Sequence, residues 1–494
     1  MNIAFLSNWE RTDTWIAVGA ELARRGTNVF FVVTRDEYVA KAMAAGIDRS
    51  RILWLNRSAA ERAQFSRQDI ELLEHYEYAT GERVRNFILM DRFMRSERQD
   101  WAMRYSRYVF RELLHFLDKN KIDVVSGQPD NIPDLLALMI LRFRGRGKYA
   151  APFEFRLPEK RFVLWDSAIE QTPHITGART PDEVTPEELE AARRLRQRVL
   201  EGGKQRVLSQ DQQPRIGASY LQRLARGFFY RALVVSRHDV YMYNLRSIFF
   251  DLKYHMIAIN YRLTRLLWRW IFERGKDGER FVLFTLNYAP EHTIDVEAPH
   301  FTSPLETVRN MVRSMPSDIV LYVKEHPNAL GIRGPGELFR IKRLPGVRLI
   351  DPFVDSHDLI KRAEAVVTLS GTASLEAAIY GKRTILLSDI FIKNFSTCQG
   401  AFAPWEIGHL LLRKPERDYS EERDLRYLAW LYSNSHPGTV IEPLTDPSSL
   451  GRENVGLVAD AYRRLFATMP REDAASAEIA APGTEAGARR QFPA

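Results

Sequence analysis

Apolar runs of strand length recur in two blocks of this 494-residue chain, and within each block they alternate with segments long enough to form a helix. The first block holds NIAFLS, NVFFVVT, ILWLN, DVV and a run near Tyr149 to Phe155; the second holds FVLFTLNY, IVLYVK, VRLI, AVVTLS and TILLS. Parallel strands cannot be joined by a tight turn and need a crossover, so this alternation predicts parallel sheets built from right-handed βαβ units. Two such blocks predict an α/β chain with two Rossmann-like domains. The expected divisions are a first domain over 1–157, a helical insertion over 158–280, a second domain over 281–469, and a disordered Ala-, Glu- and Gly-rich tail over 470–494.

Ligands of open parallel sheets bind outside the carboxyl ends of the strands, and the second block carries polar signals at two such ends. Lys324 and His326 follow the strand from Ile319, and Pro327 then stops ladder pairing because it has no N–H. Ser370-Gly371-Thr372 follows the strand from Ala365 and opens a predicted helix through about Tyr380, with Gly381 as the stop. Unpaired N–H groups and a partial positive charge suit a helix N-terminus to phosphate. Gly371 allows close approach, and Glu376, one turn inside, is placed to accept hydrogen bonds from a ribose diol. Together these residues predict a sugar-nucleotide site.

Blander roles compete at each position: a loop histidine at 326, and ordinary helix caps at Ser370 and Thr372. Glu376 lies four residues after Thr372, so it does not complete a capping box with it. In the first block, Gln128 and Asp130 lie at the end of the DVV strand, where either would meet an acceptor hydroxyl. Asp130-Asn131 before an apolar helical run also reads as a cap.

The runs NYAPEHTIDVEAP, LYVKEHP and DPFVDSHDLIKRAEAVVTLSGTASLEAAIYGK resemble the C-terminal half of bacterial capsular-polysaccharide glycosyltransferases of the GT-B type. The His-Pro and Ser-Gly-Thr elements are also similar to those of bacterial sialyltransferases, which use CMP-sugars. The resemblance covers roughly residues 281–388, and the first half only in general layout. It implies two Rossmann-like domains facing a cleft and an enzyme that moves a sugar from a nucleotide donor, CMP-linked by preference, to a surface glycan or lipid-linked glycan. His326 and Ser370 to Thr372 would then contact donor phosphate and Glu376 the ribose, with Lys324 adding charge. Glu291 matches the glutamate of a Gln-Pro-Glu element, although Ala289 stands where the family has Gln. Glu291 or Asp130 would be the carboxylate facing the acceptor, and His326 the acid to the departing phosphate, since an imidazole ordinarily titrates near 6.5. No metal and no cofactor are expected. A nucleotide-sugar epimerase of the same build and a non-catalytic scaffold of polysaccharide assembly are the alternatives.

Composition narrows the partners. The net charge of +8 favours anionic company, but the bases are spread along the chain without a nucleic-acid reader motif, so no nucleic acid is expected. Cys398 is the single cysteine, which excludes an intrachain disulfide and predicts a structural thiol. The chain starts directly on a strand, which predicts no secretory leader, and no apolar run is long enough to span a bilayer, so a cytoplasmic location is expected, peripheral at the inner membrane on the second reading of the helices below. The first block has no Gly-x-Gly-x-x-Gly, so no dinucleotide is expected there. Residues 218–274 read as helical, rich in Arg, Tyr, Phe and Trp, either packed beside the cleft or resting on an anionic membrane surface.

Overall fold

A computed structural model of the chain describes residues 1–8, 11–156, 159–167, 171–202, 239–241, 244–288, 292–401, 403, 406–413 and 419–469. The helical reading of 218–238 and the tail from Pro470 lie outside these residues.

The first sheet has the order β13-β6-β5-β4-β1-β2-β3. Its parallel part comprises β1 (Asn2–Ser7), β2 (Asn28–Val33), β3 (Ile52–Trp54), β4 (Val124–Ser126) and β5 (Lys148–Arg156). All but the edge strand β3, where Leu53 and Trp54 are half-buried, are largely buried on both faces, which is why they read as near-continuous apolar runs. Between β3 and β4 the chain is helical, as the apolar spacing predicts, and ends in the long helix Gln99–Lys119.

The sheet does not end at β5. A sixth strand, β6 (Lys160–Trp165), runs antiparallel to it, and β13 (His436–Pro437) adds a seventh from the far end of the chain. An antiparallel hairpin breaks the βα alternation, so this part of the sheet carries no crossover signal. Glu154 on β5 pins the returning segment by accepting from the Thr439 hydroxyl at 2.7 Å and the Val440 N–H at 3.0 Å. The helix Arg452–Ala467 then packs on the helix Thr12–Arg24, with Tyr462 bonded to Ser126 at 2.5 Å.

This return makes the first domain sensitive to acid. Burial, with Arg464 and Arg161 nearby, pushes His436 down to about 4 from its ordinary 6.5. The unfolded chain therefore takes up this proton first as pH falls, and the stability present above about pH 6.5 is lost on the way to about 4. That loss amounts to about 2–3 kcal/mol between neutral pH and 4.5. Urea midpoints at the two pH values should differ less for His436→Phe than for the native chain, and equal differences would disprove the assignment.

The second sheet is wholly parallel, in the order β12-β11-β10-β7-β8-β9. Its strands are β7 (Phe281–Thr285), β8 (Val320–Lys324), β9 (Val347–Ile350), β10 (Ala365–Thr368), β11 (Thr384–Leu386) and β12 (Cys398–Gly400). The first five match the predicted runs. β12 is too short and polar to be read from sequence, and it buries Cys398, whose thiol burial pushes up to about 12. The architecture is thus α/β with two Rossmann-like sheets. The two units share an apolar cluster, in which Phe391 stacks on Trp165 at 4.9 Å.

Candidate functional site

Sheet order brings the polar strand ends together. From β7 the chain steps outward to β8 and β9, then crosses back so that β10 pairs with the other side of β7. The switch point of the second sheet therefore lies between β7 and β10, where the Thr285 and Thr368 hydroxyls are 3.2 Å apart. The turns after β8 and β10, which carry the two sequence signals, flank the loop after β7.

The turn after β8 is held from beneath. Glu325 and Arg333, both buried, pair at 2.6 Å, and Arg333 also donates to the Asn287 carbonyl at 2.6 Å, tying this turn to the loop after β7. Burial pushes the Glu325 carboxyl up, and Arg333 draws it part of the way back. His326 caps the short turn that follows, its Nδ1 accepting from the Asn328 N–H at 3.1 Å. That bond assigns the proton of the neutral ring to Nε2, so the imidazole acts as a loop cap on one side and an N–H donor on the other. Taking a proton on Nδ1 would break the cap, which favours hydrogen-bond donation over the acid role. Lys324 is buried and its ammonium donates to the Pro352 carbonyl at 2.7 Å, which commits that bond to the loop after β9.

At the other turn, the helix Thr372–Ile379 starts at Gly371 without a side-chain cap, and Gly381 follows its end at φ 69°. Neither Ser370 nor Thr372 is a cap: Ser370 Oγ donates to the Thr293 carbonyl at 3.1 Å. A Cβ on Gly371 would come no nearer than 3.7 Å to the Asn287 amide, so no neighbouring protein atom requires a glycine here. Glu376 lies 3.3 Å from His357 Nε2, and the Tyr380 hydroxyl lies 2.9 Å from His357 Nδ1.

The first sheet has its own switch point, between β1 and β4, and Asp130 follows β4 there. Asn131, not Asp130, caps the helix Ile132–Arg144. Asp130 instead pairs with Arg92 at 2.5 Å and lies in the electrostatic field of His292 and Asp295 from the second domain. Arg95 reaches Asp295 across the cleft at 2.6 Å. Burial disfavours charge on His292, but Glu297 at 3.5 Å and then Asp130 outweigh it and hold the imidazole above its ordinary range. His292 Nδ1 and Asp295 Oδ2 are buried without a hydrogen-bond partner. Glu291 and Ala289 lie outside the described residues.

Sequence reasoning missed Asn287, Glu325, Arg333, His292, Asp295, Arg92 and Arg95. Glu325 and His292 sat inside the quoted runs KEHP and PEHTID, but their partners are eight and five residues away or farther, beyond the i+2 to i+4 neighbours that a strand or helix brings together along itself.

The fold and site define a two-sheet α/β protein whose switch points face each other across a polar cleft. A scan of known families and a search of curated proteins each found no match to this chain. Solved structures that match include Thermosulfurimonas dismutans KpsC, a beta Kdo 2,7 transferase, at 13% identity over 72% of this chain and 90% of that one, with a TM-score of 0.37. Its beta Kdo 2,4 transferase counterpart matches at 14% identity over 70% and 87%, with a TM-score of 0.35. The S. aureus MnaA–UDP co-structure matches at 13% identity over 95% and 98%, with a TM-score of 0.25. These are distant likenesses, and the fold assignment rests on the sheets themselves.

Proposed function

We propose that this protein transfers a sugar from a nucleotide donor, held at the switch point of the second sheet, to a glycan hydroxyl presented from the first. The reading is carried by the juxtaposition at β10, β7 and β8: an uncapped helix N-terminus, the Asn287 amide and the His326 turn border one crevice. A leaving nucleotide gains negative charge on phosphate, so donors fixed there stabilise the transition state more than the ground state. Ser370 to Thr372 and His326 Nε2 would supply them. Glu376, 3.3 Å from His357, would bind the ribose. Across the cleft, Asp130 and Glu291 remain the carboxylates proposed to face the acceptor, joined by the His292–Glu297 pair. A CMP-sugar donor is favoured by the resemblance of the His-Pro and Ser-Gly-Thr elements, and a surface glycan, free or lipid-linked, is the acceptor class.

Thermal shift against CMP, CDP, UDP, GDP and ADP tests this reading. A nucleotide at about 100 times its dissociation constant should stabilise the protein by roughly 2.7 kcal/mol, and Ser370→Ala should reduce that shift. A shift with none of the five would abandon the donor site and leave the scaffold. Turnover of a nucleotide sugar without acceptor would select the epimerase.

A further inference from the structure

The helix Asn244–Leu266 lies against the turn that follows His326. Gly331, at φ 91°, lets them meet: a Cβ there would fall 2.4 Å from the Ile257 carbonyl oxygen and 3.0 Å from Tyr261. Ala258 and Thr264 on this inner side are buried. The outer side is apolar as well. Met256, Ile259, Leu263 and Leu266 follow one another at spacings of three, four and three, so they form one stripe. Trp270, on the short helix Trp268–Ile271 that continues the run, extends it. These five side chains are 44–73% exposed, and Phe353, stacked near-parallel on Trp268, is 62% exposed at the same end.

Charge distinguishes this stripe from ordinary surface. From Leu252 to Phe272 the chain carries Lys253, Arg262, Arg265 and Arg269 and no Asp or Glu. The acids at the end of the stripe are engaged: Glu273 pairs with Lys342 and Arg348, each at 3.0 Å, and Asp351 accepts from Trp268 Nε1 at 3.0 Å. At the other end, Lys253 lies in the electrostatic field of Arg95, Asp295 and Arg92, so the stripe starts at the mouth of the cleft.

We propose that this face docks on an anionic phospholipid surface, with Ile259, Leu263, Leu266 and Trp270 entering the headgroup boundary and Arg269, one turn past Leu266 at the stripe's edge, meeting lipid phosphate. An apolar stripe flanked by cations, with amphipathic aromatic residues at its rim, is the pattern of helices that lie in a bilayer interface. A second copy fits less well, because pairing two such helices would bring their arginines together with no acid to separate them. The docking would set the cleft beside the membrane, where a lipid-linked acceptor is presented, but it does not depend on the sugar-transfer reading.

Co-sedimentation of the full chain tests it, using vesicles of phosphatidylcholine alone or with about a third phosphatidylglycerol. Binding should be roughly tenfold stronger to the anionic vesicles and should weaken in high salt. Leu263→Ser/Leu266→Ser/Trp270→Ser and, separately, Arg269→Glu should each lower it by roughly tenfold, with the melting temperature and any nucleotide-induced shift unchanged. Equal binding to both vesicle types, or full binding by the serine variant, would overturn the proposal. So would conversion of a dimer to a monomer by the serine variant in light scattering, which would assign the stripe to a second copy.

Discussion

Arg333→Ala is expected to destabilise the protein by about 3–5 kcal/mol, the usual cost of leaving one member of a buried ion pair alone. Arg333 and Glu325 are 4% and 1% exposed and meet at 2.6 Å. Truncation would strand the Glu325 carboxylate, and would also strip the Asn287 carbonyl of its donor. Neither group can reach water without opening the turn after β8. The second domain should therefore lose nucleotide-induced stabilisation along with its own stability. Urea unfolding followed by tryptophan fluorescence measures the change, read as a lower midpoint at constant slope. Replacing both partners with apolar residues, as in Glu325→Leu/Arg333→Met, should recover much of the loss, because the cost lies in the unpaired charge rather than in the missing attraction. A loss below about 1 kcal/mol for Arg333→Ala would show that the pair does not hold the turn.

His326→Asn should lower the rate of transfer by about 10²–10³ while leaving stability nearly unchanged. The two effects separate because the imidazole does two things. Its Nδ1 caps the turn by accepting from the Asn328 N–H, and an asparagine oxygen can take that bond over. Its Nε2–H, which asparagine places differently, is the donor proposed above for the departing phosphate. His326→Ala should lose both and add a destabilisation of about 1 kcal/mol. Initial rates and melting temperatures of the two variants make the comparison. Native-level transfer by His326→Asn would reduce the histidine to its structural role.

Much of the candidate site was legible because strand ends are. A run such as IVLYVK closed by Glu-His-Pro, or AVVTLS closed by Gly-Thr and an apolar helix, marks its own carboxyl edge through periodicity and chain chemistry. The cap assignments show where that legibility ends. Ser370 and Thr372 have the composition of caps, yet Ser370 spends its hydroxyl on the Thr293 carbonyl, seventy-seven residues away. Asp130 and Asn131 looked interchangeable, and packing chose Asn131 for the helix and left Asp130 to Arg92. Lys324 read as a crevice cation, but the loop after β9 supplies a carbonyl to its ammonium.

By itself the sequence determined the two βα blocks, the strand ends that carry polar residues, and the helix that opens after Ser370-Gly371. These follow from spacings of two and three to four residues and from the conformational limits of Gly and Pro, which act within a turn or two of chain. Only the tertiary structure decided that β10 returns to the side of β7, that β6 and β13 extend the first sheet, and that Arg95 meets Asp295 two hundred residues on. Such pairings are selected by the closure and packing of the whole chain, and local periodicity carries no trace of which distant partner wins.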